Sequence, residues 1–440
     1  MRKERYDAAV IGAGPAGMSA AYELSQAGCR VALVEREPTV GGILMQCIHN
    51  GFGLRHFKAD LTGPEYAERL IERIQASPVD VFLDTSVTEL HADLPLPVQT
   101  GEQTGRQIIG LSPRFGVLEL DSEAVVLAMG CRERNRGNIS IPGTRPAGIF
   151  TAGFAQKLVN MYGILPGKEV VIIGSGDIGL IMARRLTWSG VKVKAVVEIM
   201  PYPGGLVRNI VQCLDDFNIP LYLSHTVTNI FGRHRVSGVE IAKLDAQRRV
   251  IEESKQTFEC DTLLLSVGLV PENELSLDAG VKLSNITGGP LVDSDLMTSV
   301  DGIFACGNVL HVHDLVDFVS EESIHCAQGV LRFLERGPAH QSKQTRIVSG
   351  NNVRYLTPNR IDPHQEVMLF FRPLIVGRDA TLMIKADGAV IKRKKLRQVQ
   401  PSEMIHFVLK PEDMLGQREE IPAQIEVGLE EQQYAFEKLR

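Results

Sequence analysis

No two of the seven cysteines in this 440-residue chain form a recognisable pair. They fall at 29, 47, 131, 213, 260, 306 and 326, with no C-x-x-C, no C-x-x-x-x-C and no zinc-type spacing. That pattern disfavours a disulfide scaffold, a zinc ribbon and a cysteine-ligated iron–sulfur cluster. Long apolar runs are missing too, since no window approaches the roughly 18 residues of a spanning helix. The start is charged, but AAVIGAGPAG breaks up well short of the roughly 7–15 apolar residues of a secretory leader. Neither sign of charge dominates: 47 Lys+Arg against 53 Asp+Glu leave −6. Whole-molecule attraction to nucleic acid or anionic lipid is therefore not expected. Scattered, unpaired thiols fit a reducing compartment. The expectation is a cytoplasmic protein with no membrane span and no nucleic-acid partner.

Glycine, by contrast, is plentiful at 41 residues, and much of it is clustered. Two segments, Tyr6 to Glu35 and Lys168 to Glu198, share one grammar. Each runs from a β-branched stretch into G-x-G-x-x-G, then helical periodicity, a glycine, and a second β-branched stretch ending on an acid. Gly12, Gly14, Gly17 and Gly28 correspond to Gly174, Gly176, Gly179 and Gly190, all displaced by the same 162 positions. The chain therefore contains a duplicated βαβ unit. The first glycine permits the tight turn, the second lets backbone approach a pyrophosphate, and the third lets helix and strand pack closely. Glu35 and Glu198 follow the last glycines by 18 and 19 residues, the distance at which a carboxylate meets a ribose diol. Each unit is expected to bind a dinucleotide; the alternative is a pair of glycine-rich turns in a non-binding α/β fold. At Glu198 a carboxylate would accept from a free 2′-hydroxyl and repel a 2′-phosphate. Ile199, Met200 and Pro201 supply no arginine to hold that phosphate, so NADH is favoured over NADPH.

Further segments extend the pattern: Glu35-Arg36 followed by Gly41-Gly42, AVVLAMG at 124–130, CDTLLLSVGLVPENEL at 260–275 and DGIFACGN at 301–308. With GAGPAG and GSGDIG, they make residues 5 to 335 resemble the flavoproteins of the pyridine nucleotide–disulfide oxidoreductase superfamily. QCIHNGFG (46–53), LTGPEYA (61–67), GCRERNRG (130–137) and HVHDLVDFV (311–319) are similar to flavoprotein subunits of bacterial amine, opine and glycerol-phosphate dehydrogenase systems. The resemblance implies that FAD is held by Gly12, Gly14, Gly17, Glu35, Arg36, Gly41, Gly42, Ala128, Gly130, Gly307 and Asn308. NAD(H) would be held by Gly174, Gly176, Gly179 and Glu198. It also implies electron exchange between a pyridine nucleotide and a partner redox subunit or carrier.

The chain departs from that family in three places. Leu44 and His49 stand where the disulfide reductases carry their cysteines, Cys47 lies alone between them, and 148–160 has no C-x-x-C. Thiol–disulfide exchange through a dithiol lacks its resolving partner. Cys47 is either a reactive thiol near the flavin or a small buried residue. Asn308 replaces the usual Asp; an amide still hydrogen-bonds a ribityl hydroxyl, and removal of a negative charge favours the reduced, anionic flavin. His311 and His313, with Asp314 or Asp317, have the residue types of a metal site. Flavin-pocket lining and plain structure are the competing readings, and no metal is assigned. Cys47, His49, His311 and His313 are the candidates for that lining. The helix from about Leu315 to Leu334 would direct its N-terminus at the flavin pyrimidine.

The expected architecture is α/β, with two Rossmann-like three-layer domains, the second inserted in the first, plus a small C-terminal β-rich module. The limits are 1–147 with 260–337 for FAD, 148–259 for NAD(P)H and 345–440 for the module. Residues 91–122 read as hairpins in the FAD domain, 338–352 as a polar connector, and the stretch beyond 420 as an acidic or helical tail. The basic strand Lys392–Arg397 reads either as a docking site for an acidic partner or as a solvated edge. The functional expectation is an FAD-dependent oxidoreductase exchanging hydride with NADH and electrons with a redox partner. A self-contained NADH oxidase or small-molecule reductase, and a non-catalytic assembly subunit, are the alternatives.

Overall fold

Both fingerprints close a strand–turn–helix–strand unit. In the first, strand Arg2–Ile11 leads into helix Pro15–Gln26 and returns as Val31–Val34. In the second, Glu169–Ile173 leads into Asp177–Trp188 and returns as Lys192–Glu198. Each pair of strands is parallel, with Val10 beside Leu33 and Ile172 beside Val196. All four residues of Val31–Val34 are buried, as a parallel strand covered on both faces requires. Pro15 fits the first helical turn, where its missing N–H costs nothing. Gly28 and Gly190 leave their helices at φ 89° and 81°, a conformation that other residues adopt only under strain.

These relationships come from a computed structural model that describes residues 2–96, 103–337, 344–416 and 420–430. The chain divides into two compact units, Met1–Cys131 with Pro271–Arg440, and Arg132–Val270. The crossings lie outside the limits of 148 and 259 read from sequence. Strand Thr262–Leu265, assigned by sequence to the first domain, pairs with Ile149–Thr151 and Glu169–Ile173 in the second unit. Its continuous apolar run suits any buried parallel strand, so the residues alone do not say which sheet receives it.

The sheet of the first unit has the order 80–82, 31–34, 2–11, 116–127, 103–112, 86–96, with 303–305 also paired to 116–127. The first four strands and Ile303–Ala305 are parallel. Ser86–Leu96 and Gln103–Ser112 extend the sheet as an antiparallel meander. Residues 97–102 lie outside the described residues. Helix Val316–Arg336 covers one face beside Pro15–Gln26, two residues longer at its C-terminus than expected. The second unit carries a five-stranded parallel sheet, in the order 149–151, 262–265, 169–173, 192–198, 221–223, and a separate three-stranded antiparallel sheet.

The C-terminal module belongs to the first unit and consists of two β-sheets around one core that includes Ile347, Leu369, Phe371, Ile384, Met414 and Val427. Two sequence expectations fail here. Thr345–Ser349, read as connector, is a strand, because Thr345 and Ile347 alternate inward. Gln424–Glu430, read as tail, is a strand lying between Thr345–Ser349 and Gly377–Ala386. Residues 338–343 and 431–440 lie outside the described residues. The basic strand Ala389–Val399 is the edge of its sheet, with Arg393, Lys394 and Lys395 exposed. No helix among the described residues is long and apolar enough to cross a membrane.

Phe371 is fully buried at the centre of the module. Phe371→Ala should cost about 3–5 kcal/mol, read as a lower melting temperature. Arg393→Ala, on the exposed edge, should stay within about 0.5 kcal/mol of wild type.

Candidate functional site

The first fingerprint is built from close backbone approaches. A Cβ on Gly12 would stand 2.5 Å from Ala128 O, and one on Gly17 would stand 1.8 Å from Gly12 O. Neither position accepts a side chain. Gly14 differs: a Cβ there would meet nothing within 4 Å. The absence of a side chain at Gly14 therefore keeps space open above the turn, as an approaching pyrophosphate requires. Gly41 N donates to Ala13 O at 2.9 Å, and a Cβ on Gly42 would lie 2.9 Å from Gly14 Cα. Gly307, at φ 72°, sits against Ala16. Gly12, Gly14, Gly17, Gly41, Gly42, Ala128 and Gly307 thus meet at the C-terminal ends of the parallel strands. Gly130 is open on its Cβ side, and Arg36 is exposed. No side chain caps helix Pro15–Gln26, so its first N–H groups have no side-chain acceptor and suit an anion.

Glu35 locks this turn. Its Oε2 accepts from Ala13 N at 2.7 Å and its Oε1 from Glu37 N at 2.9 Å. Glu198 repeats the arrangement, accepting from Ser175 N at 2.9 Å and Met200 N at 2.9 Å, with the Ser175 hydroxyl added at 2.6 Å. A carboxylate has about four acceptor sites, so each acid keeps capacity for a sugar hydroxyl. In the second unit Gly174 lies against Ser266 O, and Gly179 N donates to Ser266 Oγ at 3.1 Å. Asp177, at the start of the helix, is held by Leu206 N and Asn209 Nδ2. On these observations the residues of both turns fit a dinucleotide.

The duplication runs further than the two fingerprints and their acids. Glu35, Pro38, Gly41 and Gly42 recur as Glu198, Pro201, Gly204 and Gly205, all displaced by 163. Gly204 N donates to Ser175 Oγ at 2.7 Å, and a Cβ on Gly205 would fall 2.9 Å from Asp177 Oδ1. A double-glycine turn therefore seats on each fingerprint. Its signal in the sequence is E-x-x-P-x-x-G-G, which begins where the dinucleotide pattern ends and so escapes a reading that stops at the acid.

A third assembly joins three of the segments that suggested the family. The Asp317 carboxylate accepts from Gly53 N, Arg55 N and His56 N at 3.1, 3.0 and 2.7 Å. Tyr66 shares a 2.8 Å hydrogen bond with Ser320, and Gly63 N donates to Cys47 O at 2.8 Å. Residues 46–56, 61–67 and 311–320 thus form one structure. Asp314 pairs with Arg372 of the C-terminal module and accepts from Met404 N. Neither Asp314 nor Asp317 is the third group beside the histidines. Glu322, which the sequence did not single out, takes that place, with Oε2 2.8 Å from His311 Nε2 and Oε1 3.1 Å from His313 Nε2. The same Oε1 accepts from Gly307 N at 2.7 Å. Burial would raise the Glu322 carboxyl, but His313 and His311 outweigh it and hold it well below the usual carboxylate range. Asn308 Oδ1 accepts from His313 N at 3.0 Å, and its amide nitrogen lies 3.6 Å from Cys131 Sγ.

All seven cysteines are free. Cys47 is buried with its thiol donating to Ile43 O at 3.3 Å, and burial pushes that thiol up to about 12. His49 is partly exposed, its Nδ1 3.0 Å from Asn50 O and its ring against Phe52. Cys306 and Cys326, 20 residues apart, meet in the core with both thiols fully buried. Sequence spacing gave no sign of that contact, which depends on how the long helix packs.

Residues 6–329 match the family described as pyridine nucleotide-disulphide oxidoreductase. One of the two opine oxidase subunits so named, from Agrobacterium tumefaciens (strain Ach5), is 28% identical over 321 residues, covering 69% of this chain and 61% of that protein. Hydrogen cyanide synthase subunit HcnB of Pseudomonas protegens is 26% identical over 293 residues, covering 62% and 58%. The chain thus spans less than two thirds of the length of these relatives. Thioredoxin reductase of Lactococcus lactis has a similar fold, with a TM-score of 0.60 at 19% identity over 75% of this chain and 99% of that one.

Two outcomes follow from the geometry. Gly17→Ala should abolish retention of the yellow chromophore, whereas Gly14→Ala should fold and hold it weakly, because only Gly17 lacks room for a methyl group. Visible absorbance per chain and circular dichroism separate these cases. Cys47 should resist iodoacetamide at about pH 8, since its thiol stays protonated far above that pH. Mass spectrometry before and after denaturation reads the difference.

Proposed function

Because the chain belongs to the pyridine nucleotide-disulphide oxidoreductase family, a flavin-dependent oxidoreductase using FAD and a pyridine nucleotide, we propose that it links NADH to a redox partner. FAD, when bound, supplies both hydride and single-electron chemistry. The observation that carries the reading is the paired cradle. Glu35 and Glu198 secure two fingerprints of the same construction, while no dithiol stands after Gly41-Gly42 to receive electrons within the chain. Two of the matched relatives are themselves named as subunits, which supports an external donor or acceptor. The direction of transfer follows the partner's potential.

In this proposal the chain's residues bind and orient. Gly12, Gly14, Gly17, Gly41, Gly42 and Gly307 keep backbone close to the pyrophosphate and ribityl chain of FAD, with Asn308 offering its amide. Arg36, Ala128 and Gly130 complete that surround. Helix Val316–Arg336 also begins without a side-chain cap, and its N-terminal dipole favours negative charge on a reduced ring. Cys47, His49, His311 and His313 belong to the assembly around that helix start. Gly174, Gly176, Gly179, Gly204 and Gly205 hold the nicotinamide dinucleotide, and Glu198 selects a free 2′-hydroxyl.

The purified protein should be yellow, and anaerobic NADH should bleach it at lower concentration than NADPH. A colourless protein, or one bleached by neither nucleotide, would contradict the reading. Rapid reoxidation in air would replace the partner with oxygen as acceptor. Glu198→Arg should raise the KM for NADH roughly 10- to 150-fold, as loss of a charge-assisted hydrogen bond predicts, and raise that for NADPH less. An unchanged ratio of the two would remove Glu198 from the ribose.

A further inference from the structure

The cluster behind the Gly307 turn is not used by any step above. His311 is wholly buried, His313 is 8% exposed and Glu322 5%. Their ligand-type atoms all lie within 4.8 Å of one another. Three features distinguish the cluster from an ordinary hydrogen-bonded core.

The first is alignment. His311 Nε2 is 2.8 Å from Glu322 Oε2 and within hydrogen-bond geometry. His313 Nε2 is 3.1 Å from Oε1, yet it makes no hydrogen bond there or elsewhere among the described residues. A buried imidazole nitrogen that faces a carboxylate without being aimed at either oxygen is aimed at the space beside it. The second is spacing. Nitrogen and oxygen atoms held about 2.0–2.2 Å from a zinc ion stand roughly 3 Å apart, which is the separation found here. The third is charge. Among the described residues no lysine or arginine pairs with Glu322, and an unpaired buried carboxylate is costly. Protonating His311 is opposed by its burial and by neighbouring His313. Gly307 N–H meanwhile supports Oε1, as an outer hydrogen bond to a ligating carboxylate does.

We propose that His311, His313 and Glu322 form a binding site for one first-row divalent cation, zinc(II) or iron(II). The two Nε2 atoms and the Glu322 carboxylate are its ligands. Two imidazoles and one carboxylate are the donor set that such cations take in preference to magnesium or calcium. The cation ties the loop after Gly307 to helix Val316–Arg336. It lies beneath Phe370 of the C-terminal module, whose ring is 5.4 Å from that of His311 and 5.3 Å from that of His313. The site does not rest on the assignment of flavin or nicotinamide.

The test uses the full chain with its native flavin, dialysed against a chelator, freed of it, and loaded with zinc(II) chloride or, anaerobically, iron(II) sulfate. After desalting, plasma mass spectrometry should find about one cation per chain in wild type and roughly a tenth or less in His311→Asn/His313→Asn. Flavin absorbance on the same samples and circular dichroism show whether the variant is folded. Wild-type protein that retains neither metal overturns the proposal, and so does a folded double variant that retains as much as wild type. If the variant does not fold, wild type alone decides. A cation bound only by the native state raises the melting temperature, and retention without such a rise also counts against the site.

Discussion

A carboxylate bonded to a backbone N–H controls both nucleotide turns. Glu35 holds Ala13 N and Glu198 holds Ser175 N, each from the end of the strand after the fingerprint helix. The bond ties the second strand of each unit to the turn leaving the first. Charge-assisted bonds of this kind are among the stronger ones available to a folded chain. The double-glycine turns can pack onto the fingerprints only because the acids have already fixed where those turns lie. Gly42 against Gly14, and Gly204 against Ser175, are the same solution reached twice.

Asp317 performs a related task over a longer range. It gathers three N–H groups from residues 53–56 and fastens them to the start of the long helix. Backbone that would otherwise leave its donors unsatisfied on burial is thereby ordered. Asp314, three residues earlier, takes Arg372 and Met404 N of the C-terminal module. Adjacent acids on one short segment thus anchor the loop of the nucleotide fold and the module beside it. The sequence offered both as metal ligands; their backbone and arginine partners explain why neither is available.

How much could be read from the residues depended on distance along the chain. The fingerprints were legible because each glycine answers a local steric demand, and because the repeat displayed the demand twice. The Gly204-Gly205 turn was equally local but carried a thinner signal, two glycines and a proline beyond the acid. Glu322 was not legible: nothing in an S-E-E-S run shows that one carboxylate reaches back to a turn 15 residues earlier. The Cys306–Cys326 contact and the pairing of Asp317 with residues 53–56 required the packed helix. Strand Gln424–Glu430 was hidden for another reason. Its alternation is clear, but a short stretch after a break offers no partner until the sheet is assembled.

That last strand has a consequence for the order in which the molecule is made. It lies inside its sheet, so Thr345–Ser349 and the hairpin 377–399 have no shared partner until residue 430 has been synthesised. The first unit is delayed in a similar way, since Ile303–Ala305 joins its sheet only after the whole of Arg132–Val270 has emerged. The inserted unit alone is continuous and can finish during translation, because its contacts close over shorter loops. The nascent protein would therefore carry a complete nicotinamide half beside an open flavin half and an unpaired sheet. Of the three, the interrupted domain and the module are where a chaperone would find exposed strand edges.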